Sequence, residues 1–175
     1  MTGETVLEIL DILHASGVEA WIDGGWGVDA LLRTESRPHD DLDLVVALAD
    51  VPRIREDLEA RGFVLGEEQL PVRFTLVHPE RGAVDFHTVA LERDGGGLQP
   101  QPDGRTFRYP PEGFVSGSIH GRVVPCVSTE VQVLCHRGYE PQPKDVQDVL
   151  ALHRAFGVRL PTSYRRFLPK SDLTP

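Results

Sequence analysis

Long apolar runs are missing from this chain of 175 residues. A membrane-spanning helix needs about 20 consecutive apolar residues, and no stretch approaches that length. The first residues include acidic side chains where a signal peptide would carry lysines, and no apolar stretch precedes a small-residue cleavage site. The sequence therefore predicts a cytoplasmic protein without a membrane segment.

Cysteine and positive charge are also scarce. Cys126 and Cys135 are too few and too poorly matched with histidines for a zinc site, so we expect two small buried residues without a disulfide. Eighteen basic residues stand against 27 acidic ones, which gives a formal net charge of -9. This balance disfavours nucleic acid as a partner. It suits a cationic small substrate, although surface solubility explains it equally well.

The remaining composition, 40% hydrophobic and 26% charged, is that of a globular protein, and its patterning predicts a mixed α/β fold. Apolar residues at helical spacing before Gly17 predict a first helix, and short apolar runs bounded by turn residues predict strands. The predicted strands are 18–22, 42–48, 63–65, 74–78, 83–89, 105–109 and 118–126, and the further predicted helices are 26–32, 51–61, 131–137 and 145–155.

The character of the chain changes near Ser128, where Ser-Thr-Glu is typical of a helix cap. We therefore expect a catalytic α/β domain over residues 1–127 and a small C-terminal helical unit over 128–175. Two segments are expected to be irregular. Residues 93–104, rich in glycine and proline, predict a mobile surface loop, and the proline-spaced tail 169–175 predicts disorder.

Three aspartates carry the most informative chemistry. Asp41 and Asp43 stand two positions apart at the start of a predicted strand, so both project to one face of the sheet. Asp85 lies on a separate predicted strand, and pairing of the two strands would bring it beside the others. Converging carboxylates suit Mg²⁺, which prefers oxygen ligands and often shares them with substrate phosphates. We therefore predict a site for two magnesium ions.

A glycine pair, Gly24-Gly25, follows a predicted strand and precedes a predicted helix. Without side chains, the backbone amides and the helix N-terminus can approach phosphate oxygens closely. Each signal is weak alone, because a Gly-Gly pair is often a plain turn and an Asp-x-Asp pair is often a solvated strand start. Their joint order is more specific and favours an enzyme that acts on nucleoside triphosphates.

This order resembles the signature of the nucleotidyltransferase superfamily, in which a Gly-Gly or Gly-Ser pair precedes Asp-hydrophobic-Asp-hydrophobic. Residues 21–30, WIDGGWGVDA, and 37–44, RPHDDLDL, are similar to the antibiotic-resistance branch, which includes aminoglycoside 2''-nucleotidyltransferases and lincosamide nucleotidyltransferases. Weaker similarity continues through 84–87, 121–126 and the helix start at Lys144, and so covers most of the chain. Asp23 is polar where the superfamily signature prefers an apolar residue.

The resemblance implies a nucleotidyltransferase-type mixed sheet flanked by helices. It also implies magnesium-dependent transfer of a nucleoside monophosphate, AMP from ATP, to a hydroxyl of a small molecule such as an aminoglycoside or a lincosamide. Asp41 and Asp43 would bind the metal, and Asp85 would be a third ligand, a general base, or both. Attack at the α-phosphorus would then expel pyrophosphate.

Five residues are candidates for binding the nucleotide donor. Arg37 and Lys144 could compensate phosphate charge, although each could equally be a surface charge. His39 either steadies the loop before Asp41 or simply fills space beside it. The complete set is Gly24, Gly25, Arg37, His39 and Lys144.

Four further residues are given structural roles. Trp21 and Trp26 are expected in the core rather than as platforms for a nucleotide base. His87 and Glu92 could line an acceptor pocket, but we expect solvated residues near a strand end.

Two other functions stay open at this point. One is a nucleotidyltransferase that modifies a protein hydroxyl, as toxin-antitoxin relatives of the superfamily do. The other is a noncatalytic nucleotide-binding module that has kept the fold. The sequence leaves the acceptor, the donor base and the oligomeric state undetermined.

Overall fold

The computed structural model describes residues 1–168, so the disorder predicted for 169–175 lies outside the described residues. Helices and strands alternate as far as Glu59, strands then follow one another, and helices form the end of the described part. The helices are α1 Gly3–Ala15, α2 Gly24–Leu32, α3 Val51–Glu59, α4 Thr129–Cys135 and α5 Pro143–Phe156. The strands are β1 Ala20–Asp23, β2 Asp41–Ala47, β3 Val64–Gln69, β4 Arg73–His78, β5 Gly82–Leu91, β6 Gly97–Pro100, β7 Thr106–Tyr109, β8 Phe114–Ile119 and β9 Arg122–Val127. Short 3₁₀ helices span Leu48–Asp50, Pro111–Gly113 and Thr162–Phe167.

One mixed sheet organises the described chain. Its main path runs β3-β4-β5-β2-β1-β9-β8, and β6 and β7 extend from the end of β5. Strand β2 lies in the middle, antiparallel to β1 and parallel to β5. The predicted mixed α/β fold is confirmed. Among residues 1–168, none of the helices has the length and apolar character needed to cross a membrane.

The alternation along β2 separates a helix-covered face of the sheet from an open one. Leu42 and Leu44 belong to the main core with residues of α1 and α3, such as Ile9 and Ile54. Val45 points the other way, into a smaller cluster. Because strand side chains alternate between faces, Asp41 and Asp43 lie on the face of Val45, away from α1 and α3. Their carboxylates therefore remain accessible.

The C-terminal helices pack against α2 through a separate apolar cluster. Val28 of α2, Val133 of α4 and Val149 of α5 are all buried within it, together with Tyr164. Ser128 caps α4, where its side chain accepts a hydrogen bond from the amide of Val131. The start of α4 thus lies close to the predicted boundary, although α2 shares its core with the later helices. The division into two units stays a prediction.

The prediction of a loop over residues 93–104 is wrong for the central part of this segment. Residues Gly97–Pro100 form β6, which pairs with β5 on one side and with β7 on the other. Glycine and proline content suggested a loop, but Gly97 is buried against Val89, where a larger residue would be crowded. The pairing partners lie outside the segment, so its composition alone did not reveal the strand.

Cys126 is buried, Cys135 is partly buried, and both thiols are free. Trp26 is buried in the main core, and Trp21 packs on Phe114 with ring centroids 4.3 Å apart. Both tryptophans are therefore packing residues, as predicted.

Candidate active site

The register of three adjacent strands places three carboxylates side by side. Asp43 lies opposite Asp23 of β1 and opposite Asp85 of β5. The predicted pairing of the Asp85 strand with the Asp43 strand is therefore confirmed. Asp23 is the third carboxylate of this group. In the sequence it was noted only as a departure from the superfamily signature. Burial raises the pKa of Asp23, and the charge of Asp43 raises it further.

The structure brings Asp43, Asp85 and His87 together as potential ligands. One ligand atom from each lies within 4.8 Å of the other two. Asp41 shares the face of Asp43 but lies at the exposed start of β2, outside this group of three. Partial burial raises the pKa of Asp41, and the charge of Asp43 adds to the effect. The metal-binding roles of Asp41, Asp43 and Asp85 stay predictions.

His87 is a larger part of the site than the sequence indicated. Its Nε2 lies 3.4 Å from Oδ1 of Asp43, and its side chain is only 26% exposed. Burial alone would lower the pKa of His87, but the hydrogen bond to Asp43 and the nearby carboxylates raise the pKa to about 9. The predicted solvated strand end is wrong, because β5 continues to Leu91 and His87 lies in mid-strand.

The glycine turn touches this group directly. Gly24 begins α2 with a φ of +56° and donates its amide to Oδ1 of Asp23 at 2.8 Å. A Cβ on Gly24 would lie 2.8 Å from Cγ of Asp43 and closer still to Oδ2. A Cβ on Gly25 would overlap the ring of His39 and lie 2.6 Å from Nη2 of Arg37. Both glycines are thus required for close approach, and the turn adjoins the carboxylates.

The loop between α2 and β2 is held by a buried carboxylate, Asp29. Asp29, 2% exposed, accepts hydrogen bonds from the amide of Ser36 at 3.0 Å and from its hydroxyl at 2.6 Å. Its other oxygen lies 2.6 Å from Nε2 of the buried His39. His39 therefore steadies the loop that delivers Asp41 to the sheet, which was one of the two predicted alternatives. Its role in nucleotide binding stays a prediction.

Replacing Asp29 by alanine is expected to destabilise the protein by about 3 kcal/mol, because it leaves buried donors without their charged partner. Urea unfolding measures this as a lower midpoint. Asp40→Ala is the matched control, because Asp40 is exposed in the same loop, and its effect should stay within about 0.5 kcal/mol. Equal losses in the two variants would show that Asp29 does not anchor the loop.

The two predicted cationic residues differ in their surroundings. Arg37 forms a bidentate ion pair with Asp148 of α5, with Nε to Oδ1 at 3.0 Å and Nη2 to Oδ2 at 2.6 Å. Lys144 is exposed at the start of α5, and its positive charge opposes the rise in the pKa of Asp41. Arg37 thus connects the loop to α5, whereas Lys144 lies near the open end of β2.

A cleft of about 610 Å³ opens over Asp23, Gly24, Asp43 and His87. The β6-β7 hairpin borders it on one side, and residues 134–139 border it on another. Arg73, which the sequence analysis missed, contributes Nη1 to Oδ2 of Asp85 at 2.7 Å. Its position on β4, paired in register with β5, was the available signal.

Gln99 was missed because its strand was taken for a loop. It is buried in β6, with Nε2 3.4 Å from Nδ1 of His87, and its Oε1 accepts a hydrogen bond from the Tyr109 hydroxyl at 3.2 Å. The β6-β7 hairpin therefore supports His87 from the side opposite Asp43. Glu92, by contrast, pairs with Arg108 near the exposed end of β5.

The donor atoms fit a divalent cation. Oδ1 of Asp85 is buried and has no hydrogen-bond partner within residues 1–168. A buried carboxylate oxygen normally has a partner, so this atom is free to bind a cation or accept a proton. Oxygens of Asp43 and Asp85 are the ligands that Mg²⁺ prefers, and the missing side chain of Gly24 lets the carboxylate of Asp43 pack directly against the turn.

A mixed sheet with carboxylates on adjacent strands, beside a Gly-Gly turn that opens a helix, defines the nucleotidyltransferase class. The aminoglycoside-2''-adenylyltransferase family matches residues 5–152. A lincosamide resistance protein from Staphylococcus haemolyticus is 32% identical over 149 residues, which cover 85% of this chain and 92% of that protein.

Solved structures agree with this match. The crystal structure of the lincosamide antibiotic adenylyltransferase LnuA with lincomycin bound has a TM-score of 0.80 at 32% identity, covering 87% of this chain and 96% of LnuA. ANT(2'')-Ia in complex with adenylyl-2''-tobramycin shares the fold, with a TM-score of 0.71 at 21% identity and coverage of 89% and 91%. The chain belongs to the aminoglycoside-2''-adenylyltransferase family and is an adenylyltransferase. The resemblance, fold class and enzyme class predicted from the sequence are confirmed.

Proposed function

We propose that this protein transfers AMP from ATP to a hydroxyl of a lincosamide antibiotic in a magnesium-dependent reaction. The observation that carries the proposal is the placement of Asp43 beside Asp85, in register and in contact with the glycine turn. Membership of the family supports the adenylyl donor, and similarity to lincosamide enzymes at 32% identity supports the acceptor.

In this proposal Asp41, Asp43 and Asp85 hold the metal, which stabilises charge on the phosphates when bound. Asp85 also suits a general base, because its Oδ1 has no protein partner among the described residues and can accept the proton of an acceptor hydroxyl. Arg73 holds the other oxygen of Asp85 and so fixes the orientation of the carboxylate. A base that is already oriented loses little entropy when the acceptor arrives.

The start of α2 is the proposed contact for the triphosphate, since Gly24 and Gly25 present backbone without side chains. The amide of Gly24 already donates to Asp23, so the amide of Gly25 is the more available donor of the two. Lys144 is the more available of the two predicted cations, because Arg37 is already paired with Asp148. In-line transfer requires mainly positioning and charge stabilisation, and both are present in these groups.

Charge within the cleft favours a lincosamide over an aminoglycoside. The lining residues include two carboxylates, Asp23 and Asp43, and both adjoin the proposed metal site. The other ionisable residues that line the cleft, apart from tyrosines and Cys135, are basic. They are Arg73, His87, Arg105, His136 and Arg137. An aminoglycoside carries several ammonium groups and would find few free carboxylates here, whereas a lincosamide carries one basic amine. Although Arg73 is paired with Asp85 and Arg105 with Asp103, the lining of the cleft does not share the acidic excess of the whole chain, whose net charge is -9.

Incubation with ATP, MgCl₂ and either lincomycin or tobramycin tests the proposal. Mass spectrometry is expected to show the mass gain of one adenylyl group on lincomycin, with matching pyrophosphate release, and chelation of the metal should abolish both. Modification of tobramycin alone would overturn the acceptor assignment. No transfer to either antibiotic, with adenylylation of a protein instead, would favour the protein-modifying alternative.

A further inference from the structure

A second cavity, of about 410 Å³, lies beside the C-terminal 3₁₀ helix. Three arginines, Arg137, Arg159 and Arg165, dominate its lining, and the other lining residues are Leu160, Pro161 and Thr162. Among residues 1–168, the lining of this cavity therefore offers guanidinium groups and no carboxylate. This is unexpected in a chain with an excess of acidic residues.

These three arginines also differ from most others in the protein. Most arginines of the described chain have a carboxylate within 4.0 Å, but none of these three has an ion pair with any residue in 1–168. Arg166 shows the contrast, because it pairs with Glu140 and does not line the cavity. Like charges around one cavity repel each other, and an anion between them would relieve that repulsion.

The backbone that carries two of the arginines is held by buried neighbours. Leu160, 5% exposed, follows Arg159, and Tyr164, fully buried, precedes Arg165. Both pack into the cluster that joins α2, α4 and α5. The positions of the two arginines are thus fixed by the core, while their guanidinium groups stay exposed.

The cavity adjoins the candidate active site. Arg137, which follows α4, lines both this cavity and the cleft that contains Asp43. A ligand that reached from one space into the other would pass this guanidinium. Planar guanidinium groups bind phosphate oxygens through paired hydrogen bonds, which makes arginine well suited to recognising phosphate.

We propose that Arg137, Arg159 and Arg165 form a binding site for multiply charged phosphate groups at the edge of the catalytic cleft. Two sources share this chemistry: the triphosphate end of the donor nucleotide and the pyrophosphate that is released. Only the identity of these sources rests on the proposed function, since the arginine cluster itself does not depend on catalysis.

Calorimetry on the full chain with Mg²⁺ and without an acceptor tests the site, with inorganic pyrophosphate, ATP and AMP as separate probes. Arg159→Ala and Arg165→Ala are each expected to weaken pyrophosphate binding about tenfold, the loss of one charge-assisted contact. Arg154→Ala is the matched control, since Arg154 is exposed on α5, is unpaired in the described structure and lies outside the cavity lining. Circular dichroism confirms that each variant is folded.

The three probes separate the two sources. If ATP binding weakens with pyrophosphate binding while AMP binding is unchanged, the site takes the triphosphate end. If only pyrophosphate binding weakens, the site takes the released product. Pyrophosphate binding that is undetectable, indifferent to both substitutions, or equally weakened by Arg154→Ala would overturn the proposal.

The binding and transfer experiments together distinguish rejection of the phosphate-binding site from rejection of the proposed function. Arginine-dependent pyrophosphate binding without transfer to lincomycin would reject the acceptor assignment and keep the site. Transfer to lincomycin with pyrophosphate binding that ignores Arg159 and Arg165 would reject the site alone.

Discussion

Replacing Asp43 by asparagine is expected to lower the rate of adenylyl transfer about a thousandfold, equivalent to roughly 4 kcal/mol of transition-state stabilisation. Asp43 lies beside Asp85, within 3.4 Å of His87, and against the glycine turn. Asparagine keeps the size of the side chain but removes the negative charge that a divalent cation requires. Pyrophosphate release in the presence of lincomycin measures the loss, and calorimetric titration with Mg²⁺ and ATP should show weaker binding.

Asp40→Asn is the control for this substitution. Asp40 is an exposed carboxylate close by in the sequence and is not one of the three clustered ligands. This variant should keep most of the activity, because exposed charges are screened by salt. Undiminished metal-dependent transfer by Asp43→Asn would place the active site elsewhere.

Gly24→Ala is expected to lower activity about a hundredfold, because displacing a reacting group by about 1 Å can have that effect. The added Cβ would overlap the carboxylate of Asp43, so either the side chain or the turn must move. The φ of +56° adds backbone strain of about 1 kcal/mol. Transfer assays and thermal unfolding together separate the two effects.

Gly121→Ala provides a control matched for strain. Gly121 has a φ of +79°, but a Cβ there would meet nothing within 4 Å. Both variants should lose about 1 kcal/mol of stability from the unfavourable φ, and only Gly24→Ala should lose activity. Equal activities would show that contact between the turn and Asp43 is unimportant for catalysis.

Local patterns predicted the parts of the site that lie close together in the sequence. The glycine pair between a strand and a helix, and two aspartates separated by one apolar residue, are short-range features. Period-2 spacing then placed Asp41 and Asp43 on one face of β2, as the burial of Leu42 and Leu44 shows. These signals were sufficient to recognise the superfamily, and the longer stretches 21–30 and 37–44 indicated the antibiotic-resistance branch.

Side chains that reach the site from neighbouring strands were harder to identify from the sequence. Arg73 reaches Asp85 only because β4 pairs with β5, and Gln99 reaches His87 only because β6 folds back along the end of β5. The importance of Asp29 depends on burial and on a loop that returns to it seven residues later. Strand register and burial depend on packing between segments that are distant in the sequence. A single sequence does not show which of these segments pair.

The sequence by itself determined the α/β class, the glycine turn and the two carboxylates at the start of β2, because each depends on residues within a few positions of one another. The sequence also predicted that Asp85 would pair beside Asp43. Only the tertiary structure decided that Asp23 and His87 join these two carboxylates, and that Arg137 lies between the cleft and a second, arginine-lined cavity. The physical reason is that pairing register and packing of distant segments set which side chains meet, and these emerge only when the whole core forms.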